Sequence, residues 1–408
     1  MTREIRFGII GCGLMGRELA SAAARWFHLL DLDFAPRIVA VCDVNPNATA
    51  WFARNVPGVR LVTDDYHRLL AEPDVEAVYC AVPHDLHERV YIDIIGAGKH
   101  LLGEKPFGID LAANTAILNA VRADPKVLVR CSSEFPFFPG AWRIGKWVRD
   151  GRFGRVIEVE AGFWHSSDLD PRKPINWKRL VAVNGAYGCL GDLGMHVVHL
   201  PLRLGWKVRN VRALLSKIVR ERPDKDGRMV PCETWDNAIL ACEAVANEER
   251  HRDTETQRQP IQGSGSVSPC LCGESGATFP MLLSTKRIAP GQGNTWFIRI
   301  LGTAFSAEFT TKNPKEVRFL EYTPGAEQTW RSLDIPHESA YKSITGSIFE
   351  FGFSDSLLQM LAAFCDEVAN GAAMRQPFTC ATPEEAAESH RLFTAALDSQ
   401  RTGQTVSL

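Results

Sequence analysis

Twelve residues near the start of the chain, "IRFGIIGCGLMG" (5–16), constrain its fold more than any other stretch. An apolar run enters Gly11-Cys12-Gly13-Leu14-Met15-Gly16 and then the helix-favouring "RELASAAARWF". Strand, G-x-G-x-x-G and helix, in that order, are the context of a dinucleotide-binding turn. Gly11 permits the tight turn, Gly13 lets backbone approach a pyrophosphate, and Gly16 lets helix and strand pack closely. Leu14 and Met15 lie in the same loop, where the helix N-terminus offers N–H groups to an anion. Three glycines are weak support by themselves in a chain that has 32, so the weight lies in the motifs further along the chain.

A second strand, "RIVAVCD", ends in Asp43. A carboxylate there accepts the ribose hydroxyls of an adenosine and repels a 2′-phosphate, which points to NAD. The interval from the glycines exceeds the usual spacing, and "WFHLLDLDFAPR" reads as an extended connection that accounts for it. A turn or cap role for Asp43 is the alternative, given the adjoining "NPNATA". A third strand, "VEAVYCAVP", runs to Pro83, and His84 and His87 come next at the cofactor side. The two histidines are three apart, but no third ligand stands nearby, so no metal is expected. A fourth run, "HLLGEKP", stops at Gly103 and places Glu104, Lys105 and Pro106 at a strand end. Strand and helix have alternated since residue 5, the pattern of an α/β, doubly wound parallel sheet. Ligands of such sheets bind at the carboxyl ends of the strands, so Lys105 is either part of a plain surface turn or stands at the mouth of a cleft.

"GIIGCGLMG", "VCD", "AVPHDLH", "AGKHLLGEKP" and, later, "GCLGDLGMH" together resemble the glucose–fructose oxidoreductase / inositol dehydrogenase / rhizopine-catabolism family over nearly the whole chain. The resemblance implies an NAD-binding Rossmann domain over 1–131. It implies a substrate-binding and oligomerisation domain over 132–408, of α+β type with a large, open, mostly antiparallel sheet. It also implies that Lys105 is catalytic; Glu104 beside it either orients Lys105 or contacts the nicotinamide ribose. Where the family usually has an arginine before Phe-x-Pro, this chain has Pro136 in "EFPFFP".

In "GCLGDLGMHVVHLPLRLGW", Asp192 and His196 are four apart and so share one helical face, with His199 a further step along. A capping aspartate trailed by ordinary histidines is the bland alternative; with Glu104-Lys105-Pro106 in the same chain, Asp192 and His196 read as catalytic. The family commonly has an aspartate where His199 stands, which leaves its role open. Trp164, His165 and Trp177 are residue types that stack on a sugar ring and bond its hydroxyls, or that fill a core. After "EFPFFPG", the run "AWRIGKWVRDGRFG" reads as a helix ended by Gly154, and "RVIEVEAGFW" as a strand. Residues 245–276 are polar and rich in Ser, Gly and Gln, and read as a mobile insert. Two amphipathic helices are expected over about 354–400, the second capped by Thr382 with Glu385 three residues on.

A chain of 408 residues accommodates two domains, and 45% apolar with 23% charged residues is ordinary for a globular protein. A formal charge of -2 and no basic run speak against nucleic-acid binding. No run of about 18 apolar residues marks a membrane span, and the N-terminus enters a strand almost at once. Eleven cysteines in so long a chain are not a disulfide framework. A reduced, cytoplasmic protein forming a homodimer or homotetramer is expected.

Hydride removal from a secondary alcohol needs an acceptor, a base and stabilisation of alkoxide character. His196 suits the base because its ordinary pKa lies near neutrality, while Lys105 stabilises the oxyanion or, if its pKa is depressed, serves as the base itself. The substrate expected is a sugar, inositol, related polyol or glycoside, with a sugar acid also left open by the sequence. Two other classes stay open: an NAD-dependent glycosidase acting by transient oxidation and elimination, and a non-catalytic NAD-binding sensor.

Overall fold

The computed structural model describes residues 2–246, 277–335, 339–346, 348–375 and 379–408. Its first sheet contains β1 (Arg3–Ile10), β2 (Phe34–Cys42), β3 (Leu61–Thr63), β4 (Ala77–Cys80), β5 (His100–Gly103) and β6 (Val129–Cys131). The order is β3-β2-β1-β4-β5-β6 with every pair parallel. Such a sheet reverses its winding between β1 and β4, and that point opens a crevice at the strands' carboxyl ends. Helices α1 (Leu14–Ala24), α2 (Pro46–Asn55), α3 (Tyr66–Leu70), α4 (His87–Gly96) and α5 (Leu111–Ala123) connect the strands. The long interval before Asp43 is only partly connection: a 3-10 turn covers Trp26–His28, and β2 already begins at Phe34.

After α6 (Pro139–Arg149), the second sheet begins with β7 (Val156–Trp164). α6 stops at Arg149 rather than at Gly154, because Gly151 turns the chain at φ 71° two residues later. A short α7 (Val181–Asn184) and α8 (Met195–Arg203) precede β8 (Trp206–Ser216). A small hairpin of β9 (Glu221–Pro223) and β10 (Met229–Pro231) comes next, then β11 (Asn237–Ala246) and β12 (Thr278–Lys286). The sheet is completed by β13 (Thr295–Gly302), β14 (Phe305–Thr310), β15 (Glu316–Glu321), β16 (Arg331–Asp334) and β17 (Val406–Ser407). Nine strands run in the order β16-β15-β14-β13-β7-β12-β11-β8-β17, all neighbours antiparallel except β7 and β12.

One face of this sheet is buried: Val159, Ala161 and Phe163 of β7, with Trp296, Ile298 and Ile300 of β13, pack with Phe135, Val197 and Leu200. Val245 and Ala246, the first residues of the expected insert, complete β11; the rest of that stretch, 247–276, lies outside the described residues.

The two sheets are not separated by chain order at residue 131. Helix α9 (Phe353–Asn370) returns to cover the first sheet beside α1, with the Phe364 ring 5.9 Å from Phe7. Helix α10 (Pro383–Thr402) then bridges both units, Ala386 packing in the first core and Leu392 and Phe393 in the second. Thr382 and Glu385 form the expected capping box, with N–H to side-chain oxygen distances of 3.2 and 2.9 Å. Among the described residues, no helix is long and apolar enough to cross a membrane.

Candidate active site

Chain geometry at the end of β1 fits a dinucleotide. Gly11 has φ 96°, and a Cβ there would lie 2.5 Å from the Ala81 carbonyl oxygen; one at Gly16 would lie 2.3 Å from that of Gly11. At Gly13, by contrast, a Cβ would meet nothing within 4 Å, so the backbone is open to a ligand on that side. Gly13 is the N-cap of α1 and supplies no side-chain cap, which leaves the first N–H groups for an anion. Leu14 and Val44 flank the loop with bare apolar side chains, 75% and 86% exposed.

Asp43 makes the turn contacts considered for it, and these leave room for the ribose contact expected of it. Its Oδ2 accepts the Cys12 N–H at 2.7 Å and its Oδ1 the Asn45 N–H at 2.8 Å, tying the glycine loop to the end of β2. Each oxygen keeps a lone pair for a ribose hydroxyl. NAD is therefore expected to bind more tightly than NADP, and Asp43→Ser to narrow the gap. Titrating both cofactors into the protein checks this; equal or tighter NADP binding contradicts it.

A buried strand ends on a charged pair here because its turn is held on every side. Glu104 accepts the Tyr79 hydroxyl at 2.6 Å, and the Tyr91 hydroxyl donates to the Glu104 carbonyl at 2.8 Å. The Lys105–Pro106 peptide is cis. His390 of α10 donates from Nε2 to the Pro106 carbonyl at 2.7 Å, and Asn114 donates to that of Phe107 at 2.9 Å. His87 uses both ring nitrogens on backbone, Nε2 on the Val82 carbonyl and Nδ1 on the Gly108 N–H, and stacks on Tyr91. It is fully buried and acts as a brace for this turn, a different task from the cofactor contact expected of it. His84, also buried, pairs through Nδ1 with the Asn184 carbonyl. Among the described residues no cluster could hold a metal ion.

Lys105 reaches across to the second domain. Its Nζ donates to Asp192 Oδ1 at 2.9 Å and to the Asp192 carbonyl at 2.7 Å. Asp192 does not sit on a regular α-helix: Leu190–Gly194 is a π turn leading into α8, a distortion frequent at functional sites. Two further cations share its carboxylate. Lys178 Nζ lies 3.0 and 3.2 Å from its oxygens, and Arg287 pairs with Oδ2. Burial and the neighbouring Arg287 push the Lys105 ammonium below its ordinary pKa, against the pull of Glu104.

His196 lies on the next turn. Its Nδ1 is 3.5 Å from Ser133 Oγ and 4.0 Å from Glu134 Oε2, with the rings of Phe135 and Phe163 edge-on. Trp296 Nε1 donates to the His196 carbonyl at 2.9 Å and fixes the backbone. Burial, then Lys105, holds the imidazole well below its usual pKa, so it is neutral near pH 7 with an unprotonated ring nitrogen, but a weaker proton acceptor than the ordinary imidazole the sequence suggested. Burial and Glu104 raise the Glu134 carboxyl to about 8. A carboxyl raised on folding costs nothing below its unfolded pKa and its full penalty above the folded one. Glu134→Gln should therefore stabilise the protein at pH 8 and leave stability unchanged near pH 4. Thermal melts across that range check the sign.

The remaining site candidates separate. His165 faces this cluster, its pKa lowered to about 4 by burial and by Arg287, Lys178 and Lys105. Trp177 is half-buried at the domain junction, edge-on to His84 at 5.0 Å. Trp164 is not with them. Side chains alternate along a strand, and Trp164 lies on the face of β7 opposite Phe163, donating to Ser284 Oγ and packing on Phe297. His199 turns away to Glu385 at 3.5 Å. Lys178, Arg287 and Glu134 escaped the sequence reading. Lys178 adjoins Trp177 and was within reach of it, whereas nothing local distinguishes Arg287 in "STKRI".

Residues 5–130 match the family model described as oxidoreductase family, NAD-binding Rossmann fold, and 142–264 match the GFO/IDH/MocA C-terminal domain. Levoglucosan dehydrogenase of Pseudarthrobacter phenanthrenivorans is 29% identical over 227 residues, 55% of this chain and 57% of that protein. Inositol 2-dehydrogenase of Pseudomonas savastanoi pv. phaseolicola is 27% identical over 179 residues, 44% of this chain and 50% of that protein. The aligned stretches thus span only about half the length of these curated relatives. A solved levoglucosan dehydrogenase in complex with NADH superposes with a TM-score of 0.82 over 99% of both chains at 20% identity, a likeness of fold.

Proposed function

Because this chain belongs to the glucose–fructose oxidoreductase / inositol dehydrogenase / rhizopine-catabolism family of NAD-binding oxidoreductases, we propose that it oxidises a secondary alcohol of a sugar, inositol or related polyol. The observation that carries the reading is the Lys105–Asp192 pair, which joins the end of β5 to the second domain beside a neutral His196. The glycine loop and Asp43 hold the cofactor, and NAD, when bound, supplies the hydride acceptor. Substrate lies between Lys105, Asp192 and His196. His196 takes the hydroxyl proton through the ring nitrogen that does not face Ser133 and Glu134. Lys105 stabilises the oxygen as it gains negative charge. Asp192 fixes the ammonium of Lys105. The balance is one alcohol and NAD⁺ giving one ketone, NADH and a proton.

Purified protein assayed for NADH with polyols, aldoses and glycosides tests the reading. NADH formed in step with ketone is expected. Glycoside cleavage with no net NADH would replace it by the elimination chemistry of a glycosidase, and cofactor binding with no turnover by a sensor. Self-association belongs to the same proposal. Leu214, Ile239 and Leu282 are 60%, 47% and 38% exposed on the neighbouring strands β8, β11 and β12, an apolar face suited to a second copy.

A further inference from the structure

Three cations converge on the one carboxylate of Asp192: Lys105 from the first domain, and Lys178 and Arg287 from the second. The other acids nearby do not redress the balance. Asp168 is already matched by Arg179 at 3.0 Å and Lys173 at 3.7 Å, with Arg287 at 3.8 Å, and Asp236 by Arg179 at 3.6 Å. Glu104 stands on the strand side of Lys105, tied to Tyr79. Glu134, raised to about 8, is mostly protonated at neutral pH, and His84, His165 and His196 are held neutral. With all three charged, Lys105, Lys178 and Arg287 face Asp192 and Glu104 with one positive charge in excess. Burial and the neighbouring Arg287 and Lys105 push the Lys178 ammonium well below its ordinary pKa, and an anion beside it favours the charged form.

That excess is not spread evenly. Side-chain exposure is 8% for Arg287, 16% for Lys105 and 32% for Lys178, so Lys178 is the cation most open to an incoming molecule. Among the described residues it pairs with no carboxylate but that of Asp192. Its stem lies beside the half-buried Trp177, with Nζ 5.5 Å from the ring centroid. An aromatic face next to an under-neutralised ammonium suits a polyhydroxylated ligand that carries an acid group. Like charges crowded in a half-dry cleft are costly, and an anionic ligand relieves that cost where a neutral polyol cannot.

Resting on the oxidoreductase reading, we infer that the substrate is a monoanionic polyhydroxy acid of the aldonate or uronate kind, its carboxylate paired with Lys178 while its carbinol lies at Lys105 and His196. One excess charge matches a monoanion; a dianionic phosphate ester would leave a negative charge unpaired. Lys178 and Lys105 touch the same Asp192 oxygen, so acid group and oxidised carbon sit close together.

The test is NADH formation by the full-length protein with D-gluconate and D-glucuronate, set against D-glucose, myo-inositol, the methyl ester of D-glucuronate and a hexose monophosphate. Carboxylates are expected to exceed their neutral counterparts by at least about 10-fold in kcat/KM. Lys178→Met should erase that advantage mainly through KM, and Lys178→Arg should restore it. Equal or better turnover of the neutral compounds, or preference for the phosphate, overturns the inference and leaves the oxidoreductase reading standing. Weaker NAD binding by Lys178→Met with the carboxylate preference intact would assign the charge to the cofactor and overturn it too. If no compound yields NADH, the oxidoreductase reading fails, and calorimetric titration of the NADH-loaded protein with D-gluconate and D-glucose decides the inference: no preference for the acid overturns it.

Discussion

Lys105→Met is expected to reduce turnover by about 10²-fold or more while leaving the fold and NAD binding nearly intact, and His196→Ala to do the same. Lys105 is the only group of the first domain seen to pair with Asp192 among the described residues, so its removal takes away the cation proposed to stabilise a developing alkoxide. Methionine keeps the length and most of the apolar stem, and the turn that carries it is braced by Tyr79, Tyr91, His87, Asn114 and His390. His196→Ala removes a neutral imidazole whose backbone is fixed independently by Trp296. Steady-state kinetics with NAD titrations separate chemistry from binding. Near-normal turnover in both variants would show that the reacting carbon lies elsewhere.

Arg179→Met should lower stability by about 3–5 kcal/mol, the range for breaking a buried ion pair from one side. Arg179 is fully buried between Asp168 and Asp236, at 3.0 and 3.6 Å, and no nitrogen of its guanidinium makes a well-aligned hydrogen bond. The loss is therefore mainly electrostatic: two buried carboxylates lose their common cation. Asp236 keeps the N–H groups of Ile218 and Val219, whereas Asp168 is left with the more distant cations Lys173 at 3.7 Å and Arg287 at 3.8 Å. Adding Asp168→Asn to Arg179→Met should recover part of the stability by removing that charge. Urea midpoints for the wild type and both variants measure it, and a change within about 1 kcal/mol would mean that the pair contributes only specificity.

Much of the first domain was legible in the sequence because its constraints are local. A glycine turn, a strand-end acid and a Gly-Glu-Lys-Pro stop each need a particular backbone within a few residues, and each falls at a strand end of the parallel sheet. The Thr382–Glu385 box was legible for the same reason.

What required the tertiary structure was every property that depends on distant chain meeting. Trp164 and His165 are neighbours in sequence, yet the pleat of β7 and the covering of one face only decided that His165 joins the site and Trp164 does not. His87 read as a site candidate and His199 had an open role, but packing of α4 against the Lys105 turn and of α10 against α8 gave them other partners. Lys178 and Arg287 lie in unremarkable stretches, and only the folding of β12 beside β7 brings both to Asp192. By itself, then, the sequence determined the cofactor loop and the parallel sheet, because short-range backbone geometry specifies them, whereas Lys105, Asp192 and His196 were singled out by the family resemblance of their motifs. Charge balance, the protonation of the site and the face each aromatic ring presents were decided by the fold, because burial and Coulomb interactions depend on which groups stand within a few ångströms, whatever their separation along the chain.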